Sequence, residues 1–150
     1  MSGNSVLNVR AVTTAIAALN VAGVSITDLD GIPAQVFPRQ CPILFPDPES
    51  FFGTAMAEEG ALVDFWLATR QFNYRLLYAA VGQDREPGVH YVGFAAVVDA
   101  LLTALMRLDV DNVDVLRVTV SQFGVVTDAS KQSFMGCVLG VVLQEKIQGA

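Results

Sequence analysis

Residues 70–78 read Arg70-Gln71-Phe72-Asn73-Tyr74-Arg75-Leu76-Leu77-Tyr78. Phe72, Tyr74, Leu76 and Tyr78 occupy every second position, with Gln71, Asn73, Arg75 and Leu77 between them. Successive side chains of a strand point to opposite faces, so this period predicts a half-buried strand. Upstream, Val63, Phe65 and Leu67 alternate with Asp64, Trp66 and Ala68. Either one long strand runs through 62–80, or a kink near Ala68-Thr69 divides it.

Working outward, a partner strand is expected within Glu49–Ala57, joined to the first by a loop around Glu58-Glu59-Gly60. Pro33, Pro38, Pro42, Pro46 and Pro48 punctuate the segment before it. Proline lacks the N–H that a ladder needs, so a central strand is excluded there. The exception is the apolar island Cys41-Pro42-Ile43-Leu44-Phe45, which suits a short buried strand. Val24-Ser25-Ile26-Thr27 reads as another short extended piece, followed by a turn at Asp28-Leu29-Asp30-Gly31.

Downstream, Leu116, Val118 and Val120 alternate with Arg117, Thr119 and Ser121. After a turn at Thr127–Lys131, Met135, Cys137, Leu139, Val141 and Leu143 alternate again, giving a strand over about 134–146. Gly136 and Gly140 share one side of it, which implies close approach of another group there. Two helices complete the pattern. Residues 5–20 carry Val6, Val9, Ile16 and Leu19 near one stripe, with Ser5 as cap and Gly23 beyond the end. Residues 89–108 place Val92, Ala95, Ala96, Asp99, Leu102, Leu105 and Met106 at helical spacing, widened by Val98, Leu101 and Leu108. The acidic stretch Asp109–Asn112 ends that helix. The order predicts one α+β domain over residues 1–150, a mainly antiparallel sheet with both helices packed on one face.

The 150 residues suffice for a sizeable core in a single domain. Hydrophobic residues make up 53% and charged residues 16%, against about a quarter in an average soluble domain. So little charge cannot cover the surface, and part of the apolar excess is expected at subunit contacts. The net charge of -6 and the scattering of single bases from Arg10 to Lys146 exclude sequence-specific gripping of duplex DNA. They are compatible with DNA passing by. No apolar run approaches the ~20 residues of a membrane span, since Val92–Met106 is interrupted by Asp99. The start Met1–Ser5 lacks the pattern of a secretion signal, so synthesis in the cytoplasm is expected.

Chemical signatures are weak. His90 is the single histidine, and no CxxC or HxxxH accompanies it, so no metal is expected. Cys41 and Cys137 both sit in apolar strand patterns, which predicts buried, inert thiols without a disulfide. Glu58-Glu59 with Asp64 read as solvated carboxylates rather than an acid–base pair. Asp109, Asp111 and Asp114 lack the order and distal Glu of a calcium loop, and no phosphate-binding glycine loop occurs. No cofactor and no catalytic residues are expected, and the chain reads as a non-enzyme. Phe51 and Phe52 are adjacent, so one can enter the core while the other faces solvent or a partner. Together with the polar residues Glu58, Glu59, Asp84, Arg85 and Glu86 of two expected loops, 46–60 and 82–90, they are the candidate subunit or docking contacts.

Several segments, in order along nearly the whole chain, carry a family likeness. They are Val9-Arg10-Ala11-Val12 with Ile16-Ala17-Ala18-Leu19, the island Cys41-Pro42-Ile43-Leu44-Phe45-Pro46, Tyr74-Arg75-Leu76-Leu77-Tyr78-Ala79-Ala80-Val81-Gly82, and Phe123-Gly124-Val125-Val126 with Phe134-Met135-Gly136-Cys137. In these the chain resembles the tail-terminator, or tail-completion, neck proteins of long-tailed bacteriophages. The resemblance implies a virion protein at the head–tail junction that forms a homo-oligomeric ring, commonly a hexamer. Its partners would be copies of itself, the tail-tube protein and the head–tail connector, with the genome passing through the ring. A head-completion or tail-tube subunit is the nearest alternative, and a small-ligand-binding α+β domain a more distant one.

Overall fold

The computed structural model describes residues 9–21, 23–59, 65–81 and 87–148; for 56–59, 65, 66, 87–90, 147 and 148 it describes the backbone alone. The alternating stretch at 70–78 lies in one unbroken strand, β4 (Phe65–Ala80). Ala68-Thr69 continues the ladder without a break, and the irregularity falls instead between Leu77 and Ala79. Strand β6 (Ser133–Gln148) lies antiparallel along its whole length, from Phe65 opposite Gln148 to Ala80 opposite Phe134. The other side of β4 is shared in tandem. Strand β2 (Ile43–Pro46) pairs antiparallel with Leu77–Tyr74, and β3 (Phe52–Glu59) pairs antiparallel with Phe72–Trp66.

Outside β2 lies the two-residue β1 (Ser25–Ile26), which pairs with it in parallel. Outside β6 lies β5 (Val113–Thr127), which completes a six-stranded sheet of order β1-β2-β4-β6-β5 with β3 beside β4. This is the expected α+β arrangement. Strand β5 is much longer than the alternation at 116–120 predicts. Two bulges, between Val115 and Arg117 and between Ser121 and Gly124, interrupt the period and hide the flanking segments from it.

Two helices, α1 (Val9–Ala17) and α2 (Pro87–Met106), pack on one face of the sheet. Proline suits the opening of α2, because a first-turn N–H has no helical partner to lose. The expected helix 5–20 ends at Ala17, and Ser5 and Val6 lie outside the described residues. Val12, Thr13 and Ile16 are its buried side. On α2 the buried stripe is Phe94, Val98, Leu101 and Leu105: of the expected face Leu105, Val98 and Leu101 are buried and Leu102 and Leu108 half-buried, while Phe94 is not part of that expected face. Val92, Ala95, Ala96, Asp99 and Met106 all face outward. The helix is apolar around most of its circumference, and the stripe with the larger side chains wins the core because it removes more apolar area from water.

The main core joins these helical residues to Leu44, Phe51, Phe72, Tyr74, Leu76, Cys137, Leu139, Val141 and Leu143. Each fully buried Leu or Phe contributes about 1.5–3 kcal/mol relative to exposure. A second, smaller cluster lies on the opposite face at one end of the sheet. There Ile43, Phe45, Leu77, Val126 and Phe134 are covered by Val36 from the proline-rich segment. Leu77 therefore escapes the polar role its place between Leu76 and Tyr78 suggests. Among the described residues, no helix is long and apolar enough to cross a membrane.

Candidate assembly surface

Asp47 decides how the chain enters β3. Its carboxylate accepts the backbone N–H of Glu49 at 2.9 Å and of Ser50 at 3.4 Å on Oδ1, and the Ser50 hydroxyl at 3.1 Å on Oδ2. An aspartate that bonds its own backbone two residues on makes a turn of this kind. The turn is clamped to β4, where Asn73 Nδ2 donates to the Ser50 carbonyl at 2.9 Å and Asn73 N–H to the Phe51 carbonyl at 2.7 Å. Phe51 is thereby delivered inward, its ring stacked on Phe72 at 4.9 Å and edge-on to Tyr74 at 5.9 Å. Phe52, the next residue, is thrown outward. It stays 64% exposed while touching Phe51 and Phe72 edge-on at 4.9 and 5.8 Å.

The same end of the sheet holds a second buried carboxylate, Asp128, in the β5–β6 turn. It accepts Val36 N–H at 2.9 Å, Ser130 N–H at 3.0 Å, the Ser130 hydroxyl at 2.7 Å and Gln132 N–H at 2.9 Å. Burial alone would raise its pKa. The bonds from Ser130, Val36 and Gln132 outweigh burial and hold it below the ordinary aspartate value. Lys131, at the tip of this turn, pairs with Glu49 and so ties it to the turn before β3. Loops 32–41, 47–51 and 127–132 are in this way fastened together beside Phe52.

At the opposite edge of the sheet, the bulge in β5 turns Phe123 outward. Gln122 and Gly124 on either side of it have φ of 52° and 129°. Phe123 touches Phe94 of α2 edge-on at 5.6 Å, and Phe94 stacks on Tyr78 at 5.4 Å, yet Phe123 and Val125 remain 61% and 65% exposed. Tyr91, one turn before Phe94, and its neighbour Val92 are exposed as well. Exposed large apolar groups thus flank both long edges of the sheet. Single exposed apolar residues are ordinary, and grouped ones mark interaction sites.

Of the predicted contacts, the structure separates Phe51, which is in the core, from Phe52, which is on the surface. Glu58 and Glu59 belong to β3 rather than to a loop, so the expected exposed loop 46–60 shrinks to 47–51 before that strand. Their side chains, and all of Asp84, Arg85 and Glu86, lie outside the described residues, as do Asp64 and the side chain of His90. Asp109, Asp111 and Asp114 are exposed. Among the described residues, no three His, Cys, Asp or Glu side chains gather as a metal site would require. Both thiols are free. Cys137 is fully buried and Cys41 half-buried, and burial pushes their pKa values up to about 12 and about 11, away from the reactive thiolate.

Sequence reasoning missed the buried pair of Asp47 with Arg75, and Asp128. A signal for the turns was present in Asp47-Pro48-Glu49-Ser50 and Asp128-Ala129-Ser130, both of turn-forming composition. Compared with known proteins, the chain matches no protein-family model and no curated protein.

Proposed function

We propose that this chain is a structural virion subunit, a tail terminator of a long-tailed bacteriophage. Copies of it form a ring, of about six, that caps the tail tube and joins it to the head connector. The observation that carries this reading is the exposed apolar side chains at opposite edges of one sheet, Phe52 at the start of β3 and Phe123 and Val125 on β5. Two different sticky edges on one protomer favour a heterologous contact, and such contacts close into rings when the rotation allows. The segment-by-segment resemblance supplies the particular ring. The net charge of -6 suits a channel through which DNA passes without being held.

The test is assembly on the natural target. Light scattering and electron microscopy of the purified chain, alone and with purified tail tubes, should show closed rings and a ring at one end of each tube. Rings that stack into long tubes would assign the chain to the tube instead. A species that stays monomeric both alone and with tubes would refute the assembly reading.

A further inference from the structure

We infer that copies of this chain join through their sheets, the outer edge of β5 in one copy adding as the next strand to the outer edge of β3 in its neighbour. The inference rests on the ring reading and specifies its contact.

Among the described residues no strand pairs with either outer edge. An unpaired edge is a row of backbone donors and acceptors ready for another strand, and proteins normally blunt it with Lys or Pro. Neither is found in β3 or β5, where Arg117 is the sole base. The bulges of β5 would obstruct pairing along its whole length. Between them, however, Arg117–Ser121 pairs with β6 in unbroken register, and Ala55–Glu59 of β3 pairs with β4 in unbroken register. The two regular stretches match in length.

Direction and charge agree as well. Strands β3, β4, β6 and β5 alternate in direction, so β5 followed by the neighbour's β3 continues the antiparallel order. Pairing β5 with a second β5 would leave β3 open, whereas pairing β5 with β3 occupies both edges of every copy. Setting Arg117 opposite Glu58 places Val118 opposite Ala57, Thr119 opposite Met56 and Val120 opposite Ala55. This register keeps the alternation of the two faces continuous across the junction. The one base of β5 then faces an acid of β3, a favourable cross-strand pair. A second copy is the partner that presents both edges in the required order.

The test combines hydrogen exchange with charge reversal. In the assembled protein, amides within 55–59 and 117–121 should exchange at least about tenfold more slowly than in the dilute monomer, the protection expected of new ladder bonds. Arg117→Glu and Glu58→Arg should each raise the concentration needed for assembly by about tenfold, as like charges directly opposite destabilise a strand pair. The double variant should recover most of the loss. Assembly with unchanged exchange at both edges, or a double variant no better than either single one, overturns this contact and leaves the ring standing. A monomer under all conditions overturns both.

Discussion

Arg75 Nη2 lies 2.7 Å from Asp47 Oδ1, and the two side chains are 8% and 4% exposed. The ion pair is therefore buried, and it joins β4 to the turn that sends Phe51 inward and Phe52 outward. Arg75 Nη1 also donates to the Thr127 carbonyl at 2.6 Å, where β5 ends. One guanidinium thus braces two turns, and the exposed ring of Phe52 owes its place to it.

Removing one partner of a buried pair strands the other charge. Arg75→Met should lower stability by about 3–5 kcal/mol in urea unfolding at neutral pH. Adding Asp47→Asn to that variant should cost less than the two single losses combined, because the charges are coupled. Additive losses would show that the pair does not act as a unit.

Asp128 predicts a pH dependence. Its folded pKa is depressed, so the stabilisation it gives is fully present above the ordinary aspartate value of 3.8 and is lost as pH falls below that toward the folded value. Asp28 adds in the same direction. Burial raises its pKa, but bonds from Thr13, Leu29 N–H and Thr14, with the charge of Arg10, bring it below normal. Melting temperature should therefore fall as pH drops below about 4. Asp128→Asn should melt lower at neutral pH and lose less on acidification, and an equally steep acid limb in that variant would count against Asp128 as a source.

Tyr74 separates ring from hydroxyl. The side chain is fully buried in the main core, and its hydroxyl has no hydrogen-bond partner. Burial, with the charge of Asp28 second, raises the phenol's pKa far above normal, so it stays neutral. Tyr74→Ala should cost about 3 kcal/mol or more, through lost burial and the cavity left behind. Tyr74→Phe removes only an unsatisfied polar atom and should be neutral or stabilising by up to ~1–2 kcal/mol. A clear loss on Tyr74→Phe, measured by thermal or urea unfolding, would reveal a bond at that oxygen.

How much of this was legible follows from what each signal can resolve. The alternation around Tyr74 identified β4 because a two-sided sheet sorts residues by burial every second position. It said nothing of Arg75, since a polar position in the alternation does not reveal that two distant turns will cover it. The α2 face was legible only in part: Val98, Leu101 and Leu105 were expected on it and are buried, but Val92, Ala95, Ala96 and Met106 form as good a helical row and face outward. Periodicity cannot choose between two rows of an all-round apolar helix. The bulges hid the ends of β5 in the same way, by shifting the phase of an otherwise regular pattern. Phe51 and Phe52 were a partial case: adjacency predicted one buried and one exposed ring, as found, but Phe52 pairs opposite Phe72 and touches both Phe72 and Phe51, so the turn at Asp47, not a change of sheet face, separates the two.

The two strand glycines of β6 give the sharpest contrast, since both were expected to mark close approach. A Cβ on Gly136 would sit 2.0 Å from the Leu76 carbonyl oxygen, next to the irregular pairing of β4. That atom is backbone in the middle of the sheet and cannot move without breaking the ladder. A Cβ on Gly140 would meet Thr119 Oγ1 at 2.6 Å, Gln71 Nε2 at 2.9 Å and Asn73 Oδ1 at 3.2 Å. These are the ends of side chains on the face opposite the helices, and they can swing aside. Gly136→Ala should therefore cost about 3 kcal/mol or more and fold poorly, as overpacking against fixed backbone does. Gly140→Ala should stay within about 1 kcal/mol, because the gain from restricting the unfolded chain partly offsets the rearrangement. Equal losses in the two variants, measured by urea unfolding, would mean that the polar side chains over Gly140 are as rigid as the β4 backbone.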